Sequence, residues 1–477
     1  MYYESTRGGL RDISPADAIK RGLAPDGGLF VPQEPVILEP EEIQRLAGMN
    51  YMERAVFILG RFLDDYSREE LEECVKGAYE GCKFENGNVA PVEKLNGNAY
   101  ILELWHGPTC AFKDVALQLL PHLLTRANRK MKDDSETVIL AATSGDTGKA
   151  ALEGFKDVDG TRIIVFFPED GVSQVQKMQM VTQEGGNVHS IAVKGNFDDT
   201  QNGVKAIFSD AGLRELMQQR GFKFSSANSI NWGRLVPQIV YYFSAYADLL
   251  AAGEITMGEK INFTVPTGNF GNILAAWYAR AMGLPVGKLI CASNENNVLT
   301  EFINTGVYDR NREFKKTITP SMDILISSNL ERLLFELNGH DGQQVLDWMS
   351  KLRESGKYAV NAEVKRKVSE MFWGAYTTEA ETMKTIKAVY VDYGYVVDTH
   401  TAVGIDAYDK YVIATGDMTK TVIASTASPF KFAGSVVRAI FGEEAVLGAS
   451  EFELIGMLAA RCGLKIPAAL DGLSQKK

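Results

Sequence analysis

Short β-branched runs, each closed by a polar or glycine loop and followed by a helical pattern, constrain this chain more than any other feature. TVILAA leads into TSGDTG and then KAALEGF, TRIIVFF into PEDGVSQVQKMQM, and INFTVP into TGNFGN and then ILAAWYARAMG. KLICAS and TVIAST repeat the strand-then-loop form. Strands that are apolar along their whole length need cover on both faces. Alternation with helices supplies it, so the pattern predicts an α/β fold of mostly parallel sheets covered by helices. Ligands in such folds sit beyond the carboxyl ends of the strands, where these loops lie. A chain of 477 residues is long enough for more than one domain. Residues 1–95 read as an N-terminal region of Gly/Pro turns and an acidic helix without a site signature. The stretch of about 300–390 is mostly helical and charged in pattern, and reads as a helical insertion.

Lys113 poses the first chemical question. In HGPTCAFKDVALQLL it stands where a polar loop becomes a helix with Leu117, Leu120 and Leu124 on one stripe. A helix N-terminus carries partial positive charge, which suits Asp114 and disfavours an ammonium. Either the lysine reaches solvent or its amine is kept neutral. In VPTGNFGNILAAWYA, Gly268 and Gly271 allow a sharp turn and close approach, and the following helix offers its first N–H groups, a device suited to one phosphate. A glycine turn with no ligand gives the same letters. The spacing matches neither GxGxxG nor a P-loop. TSGDTGK is not a Walker A loop either, because Gly145 lies too close to Gly148-Lys149 and Ala150 follows. What remains can hold a carboxylate, or simply caps a helix with Ser144, Asp146 and Thr147. Asp146 is the odd member, since an anion there calls for a proton or a cation. SSANSINWGR gathers Ser225, Ser226, Asn228, Ser229, Asn231 and Arg234, donors and a planar cation suited to phosphate or carboxylate, or an ordinary polar connection. In ASTASPFKF, Ser425, Thr426 and Ser428 follow a buried strand, where a hydroxyl could reach a ring nitrogen. His400 reads as a satisfied loop histidine rather than a base, and Cys110 as a small hydrophobe rather than a nucleophile.

Composition narrows the classes. A net charge of -11 leaves no basic excess for nucleic acid or an anionic membrane. MYYESTRGGLRDIS lacks the apolar core of a signal peptide, and Asp248 interrupts the nearest approach to a membrane span. Five cysteines without a CxxC pair argue against a disulfide framework or a zinc site, and no HExxH appears, so no metal is expected. The chain reads as a cytoplasmic protein.

A lysine at a loop–helix junction, a one-phosphate turn and a hydroxyl for a ring nitrogen together meet the needs of one cofactor, pyridoxal 5'-phosphate (PLP). HGPTCAFKD, ATSGDTG, PTGNFGN and STRGG…APDGGLFVP resemble the threonine synthases, PLP enzymes of fold type II with a tryptophan-synthase-β-like fold. The likeness continues through MDILISSNLERLLFEL and DTHTAVG. This resemblance implies that Lys113 is the catalytic lysine and forms the Schiff base with the cofactor. It implies that Gly268, Asn269, Phe270, Gly271 and Asn272 bind the cofactor phosphate and that Thr426 contacts the pyridine nitrogen. Asp146 stands where related enzymes set an asparagine against the phenolic oxygen. Thr143, Ser144 and Thr147 would hold the substrate carboxylate; Asn228, Asn231, Arg234 and Lys149 are candidates for its phosphate. By analogy, a small mobile domain spans 131–214 and a large PLP domain comprises 96–130 and 215–460. The implied reaction turns O-phospho-L-homoserine and water into L-threonine and phosphate. A serine or threonine dehydratase of the same fold would share the cofactor residues, and a non-catalytic binder of a phosphorylated ligand is a rival of another class. Cys110, where the family usually has an aliphatic residue, and Ser428, where it has histidine, are the two departures.

Overall fold

The computed structural model describes residues 1–81, 83–87, 89–143, 145–169 and 172–475. Its main sheet has six strands, in the spatial order Phe372–Tyr376, Val286–Ser293, Ile261–Pro266, Thr421–Ser425, Ala99–Glu103, Val92–Lys94. All neighbours run parallel except the last pair, which closes the edge as an antiparallel ladder. The Ile261–Pro266, Thr421–Ser425 and Ala99–Glu103 strands are buried at every residue, as double-faced cover requires. A second sheet of four parallel strands runs Val188–Val193, Thr161–Pro168, Glu136–Ala142, Phe222–Ser225. The architecture is the α/β one the strand-and-loop pattern predicts.

Two boundaries differ from expectation. The second sheet takes its last strand from 222–225, past the limit of 214. That strand is a half-buried edge, FKFS, without the continuous apolar run that marks its neighbours. The segment expected as a helical insertion also supplies the edge strand Phe372–Tyr376 of the main sheet and a two-stranded ribbon, Val307–Asp309 with Lys357–Ala359. These pieces are three to five residues long and lie among amphipathic helices, so helical periodicity hides them.

The helix Lys113–Lys130 packs against the helices Pro15–Arg21, Arg68–Tyr79, Asp146–Phe155 and Trp232–Ala251, with Val115, Leu117, Leu120 and Leu124 buried in the main core and Gly154 against its backbone. The 20-residue helix Trp232–Ala251 is buried almost throughout. Residues 1–95 wrap this core. Their short ribbon, Tyr3–Ser5 with Phe30–Pro32, is tied inward by Arg332, whose Nε donates to the Phe30 carbonyl at 2.9 Å. Among the described residues no helix is long and apolar enough to cross a membrane, and no group of three or more His, Cys, Asp or Glu could hold a metal.

Candidate active site

Three adjacent strands of the main sheet aim their carboxyl ends at one place. The chain leaving Ile261–Pro266 forms the glycine turn, that leaving Thr421–Ser425 carries Thr426, and that leaving Ala99–Glu103 reaches Lys113. The last two are joined directly. The Phe112 amide donates to the Thr426 carbonyl at 2.9 Å, the Ser428 amide donates to the Cys110 carbonyl at 3.0 Å, and Ala111 bridges Ala427. Cys110 is buried with φ 59°, and burial pushes its thiol up to about 12, so it is an inert part of this bridge. Ser428 is fully buried and its hydroxyl caps the short turn Pro429–Phe432. Both residues thus serve local geometry.

Lys113 is the first residue of its helix and half-buried. Desolvation lowers its pKa, against a rise from Asp146; Lys431 and Arg234 lower it further. Loss of water around the amine makes its charged form costlier than in solvent. Its Nζ donates to Ser321 Oγ at 3.4 Å. Asp114, at the helix start, is fully buried, accepts from the Thr109 amide at 2.8 Å and hydroxyl at 2.6 Å, and is raised by burial to about 6 despite them.

The glycine turn departs from expectation in one respect. Its left-handed residue is Phe270, φ 64°, rather than Gly268 or Gly271. Gly268 is needed for closeness: a Cβ there would lie 2.5 Å from the Ser321 carbonyl oxygen. The loop is braced from outside, as Ser327 Oγ donates to the Gly268 carbonyl at 2.7 Å and Asn329 Nδ2 to the Asn269 carbonyl at 3.0 Å. The helix Gly271–Ala281 begins here, and its first N–H groups have no carbonyl within the helix to reach. Asn272 Oδ1 accepts from Tyr241 and Tyr242 hydroxyls at 2.5 and 2.6 Å, while its buried Nδ2 has no acceptor. Asn329 also donates to the Ser229 carbonyl at 3.3 Å, which brings SSANSINWGR beside this turn. Within that stretch Arg234 is 3% exposed; Nη1 donates to the Ala227 carbonyl at 2.5 Å and Nε has no acceptor. Burial lowers the guanidinium to about 10, still a cation at neutral pH.

Other expected contributors are engaged locally. Asn231 caps the helix Trp232–Ala251 through Oδ1 and donates Nδ2 to the Ile19 carbonyl at 3.0 Å, so both ends of its amide are committed. Asn228 is exposed. Thr143 Oγ1 shapes its own loop by accepting from the Gly145 and Gly148 amides at 3.0 and 2.9 Å. Thr147 is half-buried beside it, and Ser144 lies outside the described residues. Lys149 contacts Glu153 at 3.2 Å and Gln183, so its ammonium is answered within its own domain.

The cation that Asp146 called for is Lys431, which the sequence reading did not single out. The two pair at 2.6 Å with both side chains buried, and Lys431 Nζ also donates to the Thr109 carbonyl at 2.9 Å. Burial would raise Asp146, but Lys431 and Lys113, with hydrogen bonds from Lys431 and Gln176, hold it well below the usual carboxylate range. A lysine in SPFKF after a buried strand was the available signal. His400 is 2% exposed. Its Nε2 accepts the Ser321 amide at 3.2 Å and its Nδ1 pairs with Asp398 at 2.8 Å, so neither nitrogen is free to act as a base.

A lysine with a lowered pKa at a helix start and a glycine turn at the start of a second helix, both beyond the carboxyl ends of neighbouring parallel strands, define the class. The chain belongs to the pyridoxal-phosphate dependent enzyme family, whose model matches residues 88–424. Within it the chain stands with the threonine synthases: models for the threonine synthase N terminus and the threonine synthase C-terminal region match residues 2–79 and 401–475. It is 40% identical over 454 residues to threonine synthase of Pseudomonas aeruginosa, covering 94% of this chain and 92% of that protein. It is 42% identical over 435 residues to threonine synthase-like 1 of Homo sapiens, covering 89% of this chain and 58% of that protein. The chain therefore spans less than two thirds of the length of that relative. A crystal structure of PLP-bound threonine synthase from Brucella melitensis matches with a TM-score of 0.89 at 38% identity, over 100% of this chain and 95% of that one. The residues present fit such a cofactor. The Lys113 amine is desolvated, and in the glycine turn Asn272 Nδ2 is a buried donor lacking an acceptor, which the phosphate of such a group supplies.

Proposed function

We propose that this chain is a cytoplasmic threonine synthase, converting O-phospho-L-homoserine and water into L-threonine and phosphate. The observation that carries the reading is the convergence of Lys113, the 267–272 turn and Thr426 at the ends of three adjacent strands. Lys113 would hold pyridoxal 5'-phosphate, Gly268, Asn269, Phe270, Gly271 and Asn272 its phosphate, and Thr426 its ring nitrogen, with Asp146 the candidate for its phenolic oxygen. When bound, the group supplies an electron sink for carbanions on the substrate.

The chain's own residues do the rest. The neutral Lys113 Nζ accepts the proton from the substrate Cα and holds it for return. Arg234, with Nε unanswered in the ligand-free protein, takes the substrate phosphate and steadies it as it leaves Cγ. Thr147 and the first amides of the helix at 146 take the substrate carboxylate. A proton is lost from Cβ as phosphate departs from Cγ, and a proton is returned to Cγ to make the methyl group. Water then adds its hydroxyl at Cβ; withdrawal of bulk solvent by closure of the 136–225 unit protects the steps before water adds. Buried unpaired thiols at Cys74, Cys110 and Cys291 support the cytoplasmic reading.

The test offers O-phospho-L-homoserine and L-threonine side by side. Threonine synthase releases phosphate and threonine from the first, and Lys113→Ala lowers that rate by about a thousandfold or more. 2-Oxobutanoate from L-threonine without phosphate release would instead identify a dehydratase. Binding of the phosphorylated compound with neither product would identify a non-catalytic binder.

A further inference from the structure

Ser321 joins three parts of the site that are distant in sequence. Its hydroxyl lies 3.4 Å from Lys113 Nζ. Its carbonyl stands where a side chain at Gly268 would be, 2.5 Å from that ideal Cβ, so it rests on the glycine turn. Its amide donates to His400 Nε2 at 3.2 Å. Because Nε2 is the acceptor, the ring proton sits on Nδ1, where Asp398 Oδ2 receives it at 2.8 Å. Asp398 is fully buried and fixed in turn, accepting the His400 amide at 2.9 Å and the Thr401 amide at 3.0 Å as the cap of its helix. Thr399 Oγ1 holds the same segment at a second point, donating to the Ile318 carbonyl at 2.8 Å. Ser321, in the middle of the short 3-10 turn Pro320–Met322, is thus held from both sides, with its hydroxyl left facing the lysine.

We propose that Ser321 is the positioning residue of the Lys113 amine and that the Asp398–His400 pair holds Ser321 in place. A neutral primary amine has two N–H bonds and one lone pair. Giving one N–H to Ser321 Oγ restricts rotation about the Cε–Nζ bond of a long, flexible side chain. The lone pair is then presented in one direction, ready to attack an aldehyde or to take a proton. His400 acts through the backbone of Ser321 and not on the substrate. The inference rests on Lys113 being the lysine that holds the cofactor, and goes beyond that reading in naming what orients it.

The experiment uses the full-length protein, stripped of and re-offered pyridoxal 5'-phosphate. The readout is the rate at which the compound becomes fixed to the Lys113 peptide by borohydride. Ser321→Ala slows fixation about tenfold, the effect of losing one ordinary hydrogen bond. Ser321→Thr, which keeps the hydroxyl, stays within about twofold of the parent. His400→Phe keeps Ser321 but removes its tether; it slows fixation, and the double variant is no slower than the worse single one. Fixation at the parental rate in Ser321→Ala overturns the proposal, as does a threonine variant as slow as the alanine one. Full additivity in the double variant overturns the role of His400. If Lys113→Ala still fixes the compound at the site, the assignment of that lysine fails first, and this inference with it.

Discussion

Asp146 and Lys431 show how a single residue can be unreadable alone. Asp146 in a loop suited to anions makes no sense until Lys431, 285 positions later, is placed 2.6 Å away. Both are buried, so removing one partner leaves the other charge desolvated and unanswered. Lys431→Met is expected to destabilise the protein by about 3–5 kcal/mol, because Asp146 must stay charged without its cation or take up a proton. Asp146→Asn combined with Lys431→Met should recover most of that loss, since no isolated charge remains. Urea unfolding of the two variants and the parent measures both numbers; a double variant as unstable as the single one would show that the pair matters for packing rather than charge. Phe270, in the glycine turn, makes a related point. Its left-handed backbone is held by burial of the ring, 2% exposed, where the sequence suggested that the glycines turn the chain.

At the scale of elements, the contact between Lys113–Lys130 and Asp146–Phe155 ties the helix that carries Lys113 to the helix that carries Asp146. Gly154 is the penultimate residue of its helix, in a last turn where glycine costs up to about 1 kcal/mol relative to alanine. The reason is the Leu117 carbonyl, which a Cβ at 154 would strike well inside contact distance. Gly154→Ala should therefore destabilise by about 1–3 kcal/mol despite the better helix propensity, because the struck atom is backbone and cannot rotate away. A thermal melt at or above the parental midpoint would mean that the helices slide apart freely. The same displacement moves Lys113 relative to Asp146, so cofactor fixation should slow alongside stability.

Across the whole molecule, residues 1–95 are keyed into the site from behind. Arg332, fully buried, donates to the Phe30 carbonyl, to Asn329 Oδ1 at 2.5 Å and to the Ile230 carbonyl at 2.6 Å. Arg7 grips Glu331 through two bonds of 2.9 Å. Thus the N-terminal region, which has no site motif of its own, holds the residues that brace the glycine turn. His340 adds a pH-dependent clasp, lying 3.1 Å from Glu336 and 2.7 Å from Glu4. Hydrogen bonding to Glu336, against desolvation and with help from Glu4, raises it to about 9, above the ordinary value of 6.5. A histidine whose folded pKa is raised stabilises fully below the ordinary value and loses that contribution as pH rises through the folded one. The melting advantage of the parent over His340→Gln should be greatest at about pH 6 and vanish by about pH 10. An advantage constant across that range would remove charge as its cause.

The strands, the loops at their carboxyl ends, Lys113 and the glycine turn were legible in the sequence because each is written locally. Apolar runs, helix starts and glycine spacing act within a few residues, where covalent geometry and burial leave a pattern. The edge strand Phe372–Tyr376, the Asp146–Lys431 pair, Ser321 on Lys113 and the Arg332 clamp came only from the tertiary structure. Each depends on segments far apart in the chain meeting at one point, and a contact of that kind leaves no period or spacing in the letters on either side.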